Sequence, residues 1–361
     1  MKVAMISRST LFSNPGGDTI QITKTANELN KLGVIADVKL CTEIIEYSQY
    51  DLLHLFNIIR PADILNHVKL AGKPFVVSTI FVDYSEYEKN ARTGWKGRIA
   101  KILSADNAEY LKVILRRMLN GEKIISPDYI LKGQRNSVRY ILEKAAMLLP
   151  NSESEYKRLF TRYKIERPYR VIPNAIDDSI FKKSVELKDE KLVLCVSRIE
   201  GLKNQLNLIR ALKGTDFKLH IIGSHSANHK KYYEQCRKEA GRNVQFSERM
   251  AQHELHGIYV RAKVHVLPSW FETTGLSSLE AAAMGCNIVI TDKGDTREYF
   301  DDDAFYCQPD DVTSIRNAVE SAAKASSNEG LSKRIFQNYT WTIAAQKTLA
   351  AYCKVLNQNG S

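Results

Sequence analysis

Short β-branched runs alternate with helix-forming stretches along most of this chain, and the alternation starts afresh once, near residue 170. Its clearest unit lies late. Val264 to Leu267 closes an apolar run with strand character, and Pro268, Ser269 and Gly275 follow as turn and breaker residues. Leu279, Ala281, Ala282, Ala283 and Met284 are good helix formers that Gly285 stops, and Asn287 to Thr291 is β-branched again. Strand, loop, helix and strand in that order make a βαβ unit, whose loop sits at the carboxyl end of a parallel sheet. Open α/β sheets bind ligands at that end.

The rest of the chain repeats the pattern. Lys2 to Ser7 reads as a buried strand, Arg8 to Asp18 as a polar loop, Ile20 to Leu32 as a helix ended by Gly33, and Val34 to Leu40 as a second strand. Asp51 to Ile59 and Pro74 to Val82 are strand-like, with a helix over residues 60–70 between them. Met147 to Pro150 is a short strand, the run NSESEYKRLF opens a capped helix, and Tyr169 to Pro173 is one more strand. Lys191 to Ser197 begins the second series: helices over 207–213, 232–240 and 255–262, and strands over 217–222 and 244–246. Ser314 to Ala323 and Thr340 to Leu356 are terminal helices. The expected fold class is α/β: two Rossmann-like, doubly wound domains facing a central cleft.

A length of 361 residues suits two domains. No stretch reaches the roughly 18 to 20 apolar residues of a membrane span, and Met1 to Ile6 looks like a strand and not a signal peptide. Cys41, Cys195, Cys236, Cys286, Cys307 and Cys353 are scattered without a CxxC pair, which suggests reduced thiols in a cytoplasmic protein. The net charge of +11 favours anionic partners: nucleotide phosphates, an acidic membrane surface or nucleic acid. Lys89 to Lys144 is rich in Lys and Arg with apolar residues at helical spacing. Such a face can lie on an anionic bilayer, or it is a solvated face over a core. No RNA-binding motif is present, so nucleic acid is not expected as a partner.

Several residues carry candidate chemistry. Glu272 and Glu280 flank Thr273, Thr274, Gly275 and Leu276, whose backbone N–H groups open a helix. Such a terminus suits a phosphate. The glutamates suit hydroxyl groups of a sugar and a ribose; alternatively Glu272 caps the helix and Glu280 is solvated. Arg198 and Lys203 follow a strand across the turn Glu200-Gly201 and can neutralise a diphosphate, or are plain surface charges. Gly223 ends the strand Leu219 to Ile222, where bare backbone can border a ligand. Gly16 and Gly17 stand at the first loop–helix junction, without the GxGxxG of a dinucleotide fingerprint.

The runs SRIEGLKN (Ser197 to Asn204), VIPNAIDDSIF (Val171 to Phe181), IIGSHS (Ile221 to Ser226), NVQFSERM (Asn243 to Met250) and FETTGLSSLEAAAMG (Phe271 to Gly285) occur in one order. In this the chain resembles a retaining glycosyltransferase of the GT-B fold, in the family 4 group of bacterial surface-polysaccharide enzymes. The likeness is strong over residues 140–345 and weaker over 1–139. It implies an acceptor-binding domain over 1–168, a nucleotide-sugar-binding domain over 169–340, and a helix over 341–361 that returns to the first domain. It implies that Arg198 and Lys203 hold the donor diphosphate and that Glu272 and Glu280 are the pair of a Glu-x7-Glu motif, at the donor sugar and at the ribose. Thr273 to Leu276 would lie at sugar and phosphate, Arg249 and Met250 at the base, and Gly16 and Gly17 near the phosphates.

Many relatives carry a histidine after the strand placed here at Phe75 to Thr79; this chain reads Ile80, Phe81, Val82, Asp83. Asp83 then substitutes as a polar contact, Asp18 is a candidate acceptor-side base, and His54 is read as a satisfied histidine on a strand. No Asp-x-Asp signature stands where a metal would be needed, and Asp301-Asp302-Asp303 reads as a solvated loop, so neither metal nor other cofactor is expected. The implied reaction moves a hexosyl unit from a nucleotide diphosphate sugar to a glycan or polyprenyl-linked glycan, with retention. The alternatives are a GT-B nucleotide-sugar epimerase, or a non-catalytic membrane or nucleic-acid binding protein.

Overall fold

In a computed structural model that describes residues 1–83, 87, 106–107, 110–111, 113, 126–182 and 187–358, the β-branched runs pair into two wholly parallel sheets. The first holds β1 (Lys2–Ser7), β2 (Ile35–Leu40), β3 (Leu52–Phe56), β4 (Phe75–Ser78) and β5 (Met147–Leu149), in the order β2-β1-β3-β4-β5. Its helices are α1 (Gly17–Lys31), α2 (Pro61–Leu70), α3 (Pro127–Lys144) and α4 (Glu153–Tyr163). The C-terminal helix Trp341–Gln358 belongs to this unit, where Thr342 Oγ1 donates to Glu28 Oε2 of α1 at 3.1 Å.

Local chemistry sets the element ends. Ser152 caps α4 by accepting from Glu155 N at 3.0 Å, and Lys164 ends that helix in the left-handed region. β4 stops at Ser78, four residues short of the expected end, because Ile80 takes φ 45° and turns the chain. Residues 169–173 do not form a strand: only Tyr169 bridges to Leu148. Pro168 and Pro173 lack the N–H that a ladder needs, leaving Leu148 N to Pro168 O, Arg170 N to Leu148 O and Ile172 N to Pro150 O. These bonds keep the stretch with the first unit, and the divide falls between Asn174 and Ala175. Most of the basic stretch over Lys89 to Lys144, and the membrane contact read from it, lies outside the described residues; α3 is its main described part.

The second unit, Ala175–Thr340 together with Asp83–Arg92, holds β6 (Asp189–Val196), β7 (Lys218–Ile222), β8 (Val244–Ser247), β9 (Ala262–Leu267), β10 (Asn287–Thr291) and β11 (Ala304–Cys307). Its helices are α5 (Gln205–Ala211), α6 (Lys230–Glu239), α7 (Gln252–Arg261), α8 (Leu276–Ala283), α9 (Thr296–Phe300), α10 (Val312–Lys324) and α11 (Glu329–Asn338). Three of these elements, α9, β11 and α11, are absent from the sequence reading. The run 301–303 is a short 3-10 turn and not a bare loop: Asp303 pairs with Arg334 at 2.8 Å and accepts from Asn328 at 2.7 Å. The sheet order is β11-β10-β9-β6-β7-β8. Counted within the unit this is the order 3-2-1-4-5-6 reversed, the doubly wound arrangement. β6 and β9 are neighbours although two strands separate them in sequence, and the winding reverses between them.

The core of the second unit is a continuous apolar cluster in which Val193, Leu194, Val264, Val266, Ile288 and Val289 are fully buried strand residues. At about 1.5–3 kcal/mol for each such side chain, burial dominates the stabilisation. Among the described residues His54, His67 and His265 are buried, and two of them, His54 and His265, lie on strands. His54 on β3 bonds Tyr352 Oη of the C-terminal helix at 2.6 Å and Ser78 Oγ at 2.8 Å. His265 on β9 reaches Ser278 Oγ of α8 at 3.2 Å. Burial pushes both imidazoles down to about 3.

An unfolded histidine titrates near 6.5. Above that pH both states are neutral and neither histidine affects stability. As pH falls from about 6.5 towards about 3, only the unfolded state takes the proton, so stability drops by about 1.4 kcal/mol per pH unit for each histidine. Urea unfolding between pH 7 and pH 4 should therefore show a falling midpoint, and a His54→Gln variant should show a shallower fall than the parent.

Candidate functional site

The site grows from the junction of β6 and β9. After β6 the chain runs through Arg198 to a 3-10 turn, Gly201–Lys203, and then to Asn204 in the left-handed region at φ 61°. The Asn204 amide donates to Pro268 O at 3.0 Å and to Pro309 O at 2.6 Å, and Trp270 N donates to Leu202 O at 2.9 Å. These bonds tie the loop after β6 to the loop after β9.

Lys203 and Glu272 are thereby brought together. Lys203 Nζ lies 2.6 Å from Glu272 Oε1, with the two side chains 17% and 6% exposed. Ser269 Oγ donates to the same oxygen at 2.6 Å. Among the described residues nothing donates to Glu272 Oε2. The Glu272 backbone is clamped as well: its N donates to Lys293 O at 3.1 Å and its O accepts from Asp295 N at 2.9 Å. Gly294 lies against it at φ +103°, and a Cβ there would stand 2.0 Å from Glu272 O. Glu272 is thus a buried, charge-paired residue and not a helix cap.

Arg198 takes a different position. Its side chain is about half exposed and pairs with Glu200 at 3.0 Å. Gln205 holds the backbone beneath it, donating to Arg198 O at 2.8 Å and Ser197 Oγ at 2.9 Å. Both candidate cations therefore carry a carboxylate partner, which lowers the net charge a diphosphate would meet.

Gly275 supplies the N-cap of α8 at φ 73°, where its carbonyl accepts from Ser278 N and Leu279 N. Thr274 is buried, and Thr273 and Leu276 are half-buried. Glu280 is buried on α8 and not solvated: Oε1 accepts from Gln252 Nε2 at 2.7 Å and Oε2 from Tyr259 Oη at 3.1 Å.

Gly223 has φ +153°, and a Cβ there would stand 1.9 Å from Ser197 O. Close approach of the chain after β6 already demands a glycine at this position. Beyond it Ser224 Oγ donates to Glu248 Oε2 at 2.8 Å and accepts from Arg249 N at 3.3 Å, joining the loops after β7 and β8. The Arg249 side chain is exposed and Met250 is half-buried against the core.

Gly16 and Gly17 belong to the first unit, at the start of α1. Gly16 N donates to Thr19 Oγ1 at 3.0 Å. Asp18 does not stand as a ready base: Arg8 takes both its oxygens, at 2.6 and 2.9 Å, and Thr19 N adds a bond at 3.0 Å. The same guanidinium donates to Thr10 O, Thr10 Oγ1 and Asn14 O, so Arg8 braces the whole loop. Asp83 is half-buried just past the Ile80 turn. His54 is the satisfied strand histidine of the sequence reading.

Sequence reasoning missed Ser269, Gln252 and Tyr259 and gave Glu200 no role. Ser269 and Glu200 stood inside the quoted loops, near enough to Glu272 and Arg198 to be tested as partners. Gln252 and Tyr259 reach Glu280 only through the packing of α7, with no local signal.

Residues 177–338, almost the whole second unit, match the family model for Glycosyl transferases group 1. The second unit is thus similar to the group 1 glycosyltransferases. The chain is 25% identical over 345 residues to a D-inositol 3-phosphate glycosyltransferase of Corynebacterium aurimucosum, covering 81% of this chain and 80% of that protein. It is 28% identical over 189 residues to an uncharacterized glycosyltransferase of Methanocaldococcus jannaschii, covering 48% and 47%. In fold it matches sucrose-phosphate synthase of Thermosynechococcus elongatus at TM-score 0.77 and 15% identity, over 99% of this chain and 100% of that one. Anabaena HepE, solved with UDP and glucose, matches at TM-score 0.69 and 14% identity, over 98% and 100%. The fold is GT-B, and the chain is an enzyme of the glycosyltransferase class.

The glycines of this domain separate into those that permit close approach and those that do not. Gly294→Ala should cost at least about 2 kcal/mol, since it combines a positive φ with a collision against backbone. Gly257, exposed in α7 with nothing near its missing Cβ, should gain about 0.5–1 kcal/mol as Ala. Paired urea titrations of the two variants check this.

Proposed function

We propose that the protein transfers a hexosyl unit from a nucleotide diphosphate sugar to a hydroxyl of a glycan or lipid-linked glycan, with retained anomeric configuration, in surface polysaccharide synthesis. The observation that carries this reading is the Lys203–Glu272–Ser269 group at the β6/β9 reversal, beside the N-terminus of α8. Glu272 Oε1 is occupied by two donors, so Oε2 is the atom available to accept from a sugar hydroxyl. The relative solved with UDP-glucose supports a nucleotide-sugar donor, and a uridine nucleotide is the first to test.

In this reading the first turn of α8 and the guanidinium of Arg198 face the diphosphate, and Lys203 shares its ammonium between Glu272 and the leaving phosphate. Stabilising the charge that develops on the leaving group is the main catalytic contribution. The bond from the anomeric carbon to the phosphate oxygen breaks, the bond to the acceptor oxygen forms on the same face, and the acceptor proton passes to the departing phosphate. Glu272 supports the sugar and forms no covalent bond to it. Arg249 and Met250 border the base through their backbone. The reaction as proposed needs no metal ion or other cofactor. Among the described residues no helix is long and apolar enough to cross a membrane. A cytoplasmic enzyme that meets a lipid-linked acceptor at an anionic membrane surface fits the charge of +11.

A thermal-shift series with UDP, GDP and ADP sugars should single out one nucleotide, because a ligand at 100 times its Kd adds about 2.7 kcal/mol of stability. With that donor, nucleotide release should require acceptor, and Lys203→Ala should lower kcat about 100- to 1,000-fold. Full turnover by a folded Lys203→Ala variant would overturn the reading, as would nucleotide-sugar conversion that proceeds without acceptor.

A further inference from the structure

We infer that Gln252 and Tyr259 are positioning residues for Glu280, setting its carboxylate to receive the ribose hydroxyls of the donor nucleotide. The inference rests on the nucleotide-sugar reading above and adds the residues that give its ribose contact a fixed geometry.

Glu280 is 6% exposed. Burying a carboxylate is costly unless its oxygens are hydrogen-bonded, and here each oxygen has its own donor, Gln252 Nε2 on Oε1 and Tyr259 Oη on Oε2. The two donors stand seven residues apart on α7, two helical turns, so they project from one face of it. One helix thus meets one carboxylate with two prongs. Rotation of the group would break one bond or the other, so its plane is fixed.

The Tyr259 prong is rigid. The ring is fully buried, with Phe181 at 6.0 Å and His265 at 5.9 Å between centroids. Burial, reinforced by the adjacent Glu280, raises the phenol well above its ordinary value. It therefore stays protonated and can only act as donor towards the carboxylate. His265 is itself bonded to Ser278 of α8, so α8 is held to β9 two residues before Glu280.

A ribose offers two neighbouring hydroxyls at fixed spacing, and a carboxylate offers two oxygens with about two acceptor sites each. Gln252 and Tyr259, bonding different oxygens, orient the group. The pair match only if the carboxylate plane is correct, so loss of either prong should affect the ribose contact and leave base and phosphate contacts in place. A purely structural role would weaken every nucleotide alike.

The test uses the full chain and whichever of UDP, GDP and ADP binds most tightly by calorimetry, together with its 2′-deoxy form. The parent should prefer the ribonucleotide about tenfold or more, as expected for hydrogen bonds to a charged group. In Gln252→Ala and in Tyr259→Phe that ratio should fall to about threefold or less, mainly through weaker binding of the ribonucleotide. Gln252→Ala decides the matter if Tyr259→Phe does not fold, since Gln252 is only half-buried. A folded Gln252→Ala variant with the parent's ratio overturns the inference. So does a parent that binds both forms equally, although the donor reading then stands. If no ribonucleotide binds the parent, both fall together.

Discussion

The reversal of strand order between β6 and β9 is the constraint on which the second unit depends. Parallel strands added on both sides of a starting pair leave two loops that diverge from the sheet at that pair, and whatever those loops carry meets there. Lys203 and Glu272 are 69 residues apart in sequence and 2.6 Å apart in space for this reason. Asn204 makes the junction specific. Its left-handed backbone points an amide at Pro268 O and Pro309 O, carbonyls of the chain after β9 and after β11.

Electrostatics at that junction differ from a simple cationic grip. Arg198 and Lys203 each enter with an acid, Glu200 and Glu272, so the four side chains sum to no net charge. In the Arg198–Glu200 pair the guanidinium is 53% exposed, so water screens it and it can turn towards an incoming anion, while Glu200 is only 11% exposed. The buried Lys203–Glu272 pair is different: removing one partner would strand the other charge away from water. Lys203 is therefore the more tightly anchored of the two cations and Arg198 the more mobile.

Much of this was legible in the sequence, and the limits have physical causes. Long apolar strands such as Lys191 to Ser197 and Asn287 to Thr291 announce themselves because both sheet faces are buried. β11 and α9 do not, being four and five residues long and held by neighbours more than by their own pattern. Residues 169–173 looked like a strand because β-propensity ignores the missing N–H groups of the flanking prolines. At the site, residue positions in the loops could be read, since turn and breaker residues mark where loops begin. Their pairing could not. Nothing in a linear spacing says that Ser269 and Lys203 share one oxygen of Glu272, or that Arg8 closes on Asp18. The solvated reading of Glu280 failed on the same ground: its burial follows from α7 packing over α8, a tertiary fact.

The two glutamates of this domain therefore differ in kind, although the sequence presents them as a pair. Glu272 precedes α8, is neutralised by an ammonium, and has both bonded donors on a single oxygen. Glu280 lies inside the helix and is held by a neutral amide and a neutral phenol, one on each oxygen. A carboxylate engaged on one oxygen presents a single directed acceptor, suited to one hydroxyl beside a reacting carbon. A carboxylate braced on both oxygens presents a planar, symmetric acceptor, suited to a diol. The glycines fit the same division. Gly294 lets the chain after β10 clamp the backbone of Glu272, whereas Gly275 starts the helix that carries Glu280. Each acid is thus placed by its own backbone device, and the eight-residue spacing follows from the loop and the roughly one and a half turns of helix between them.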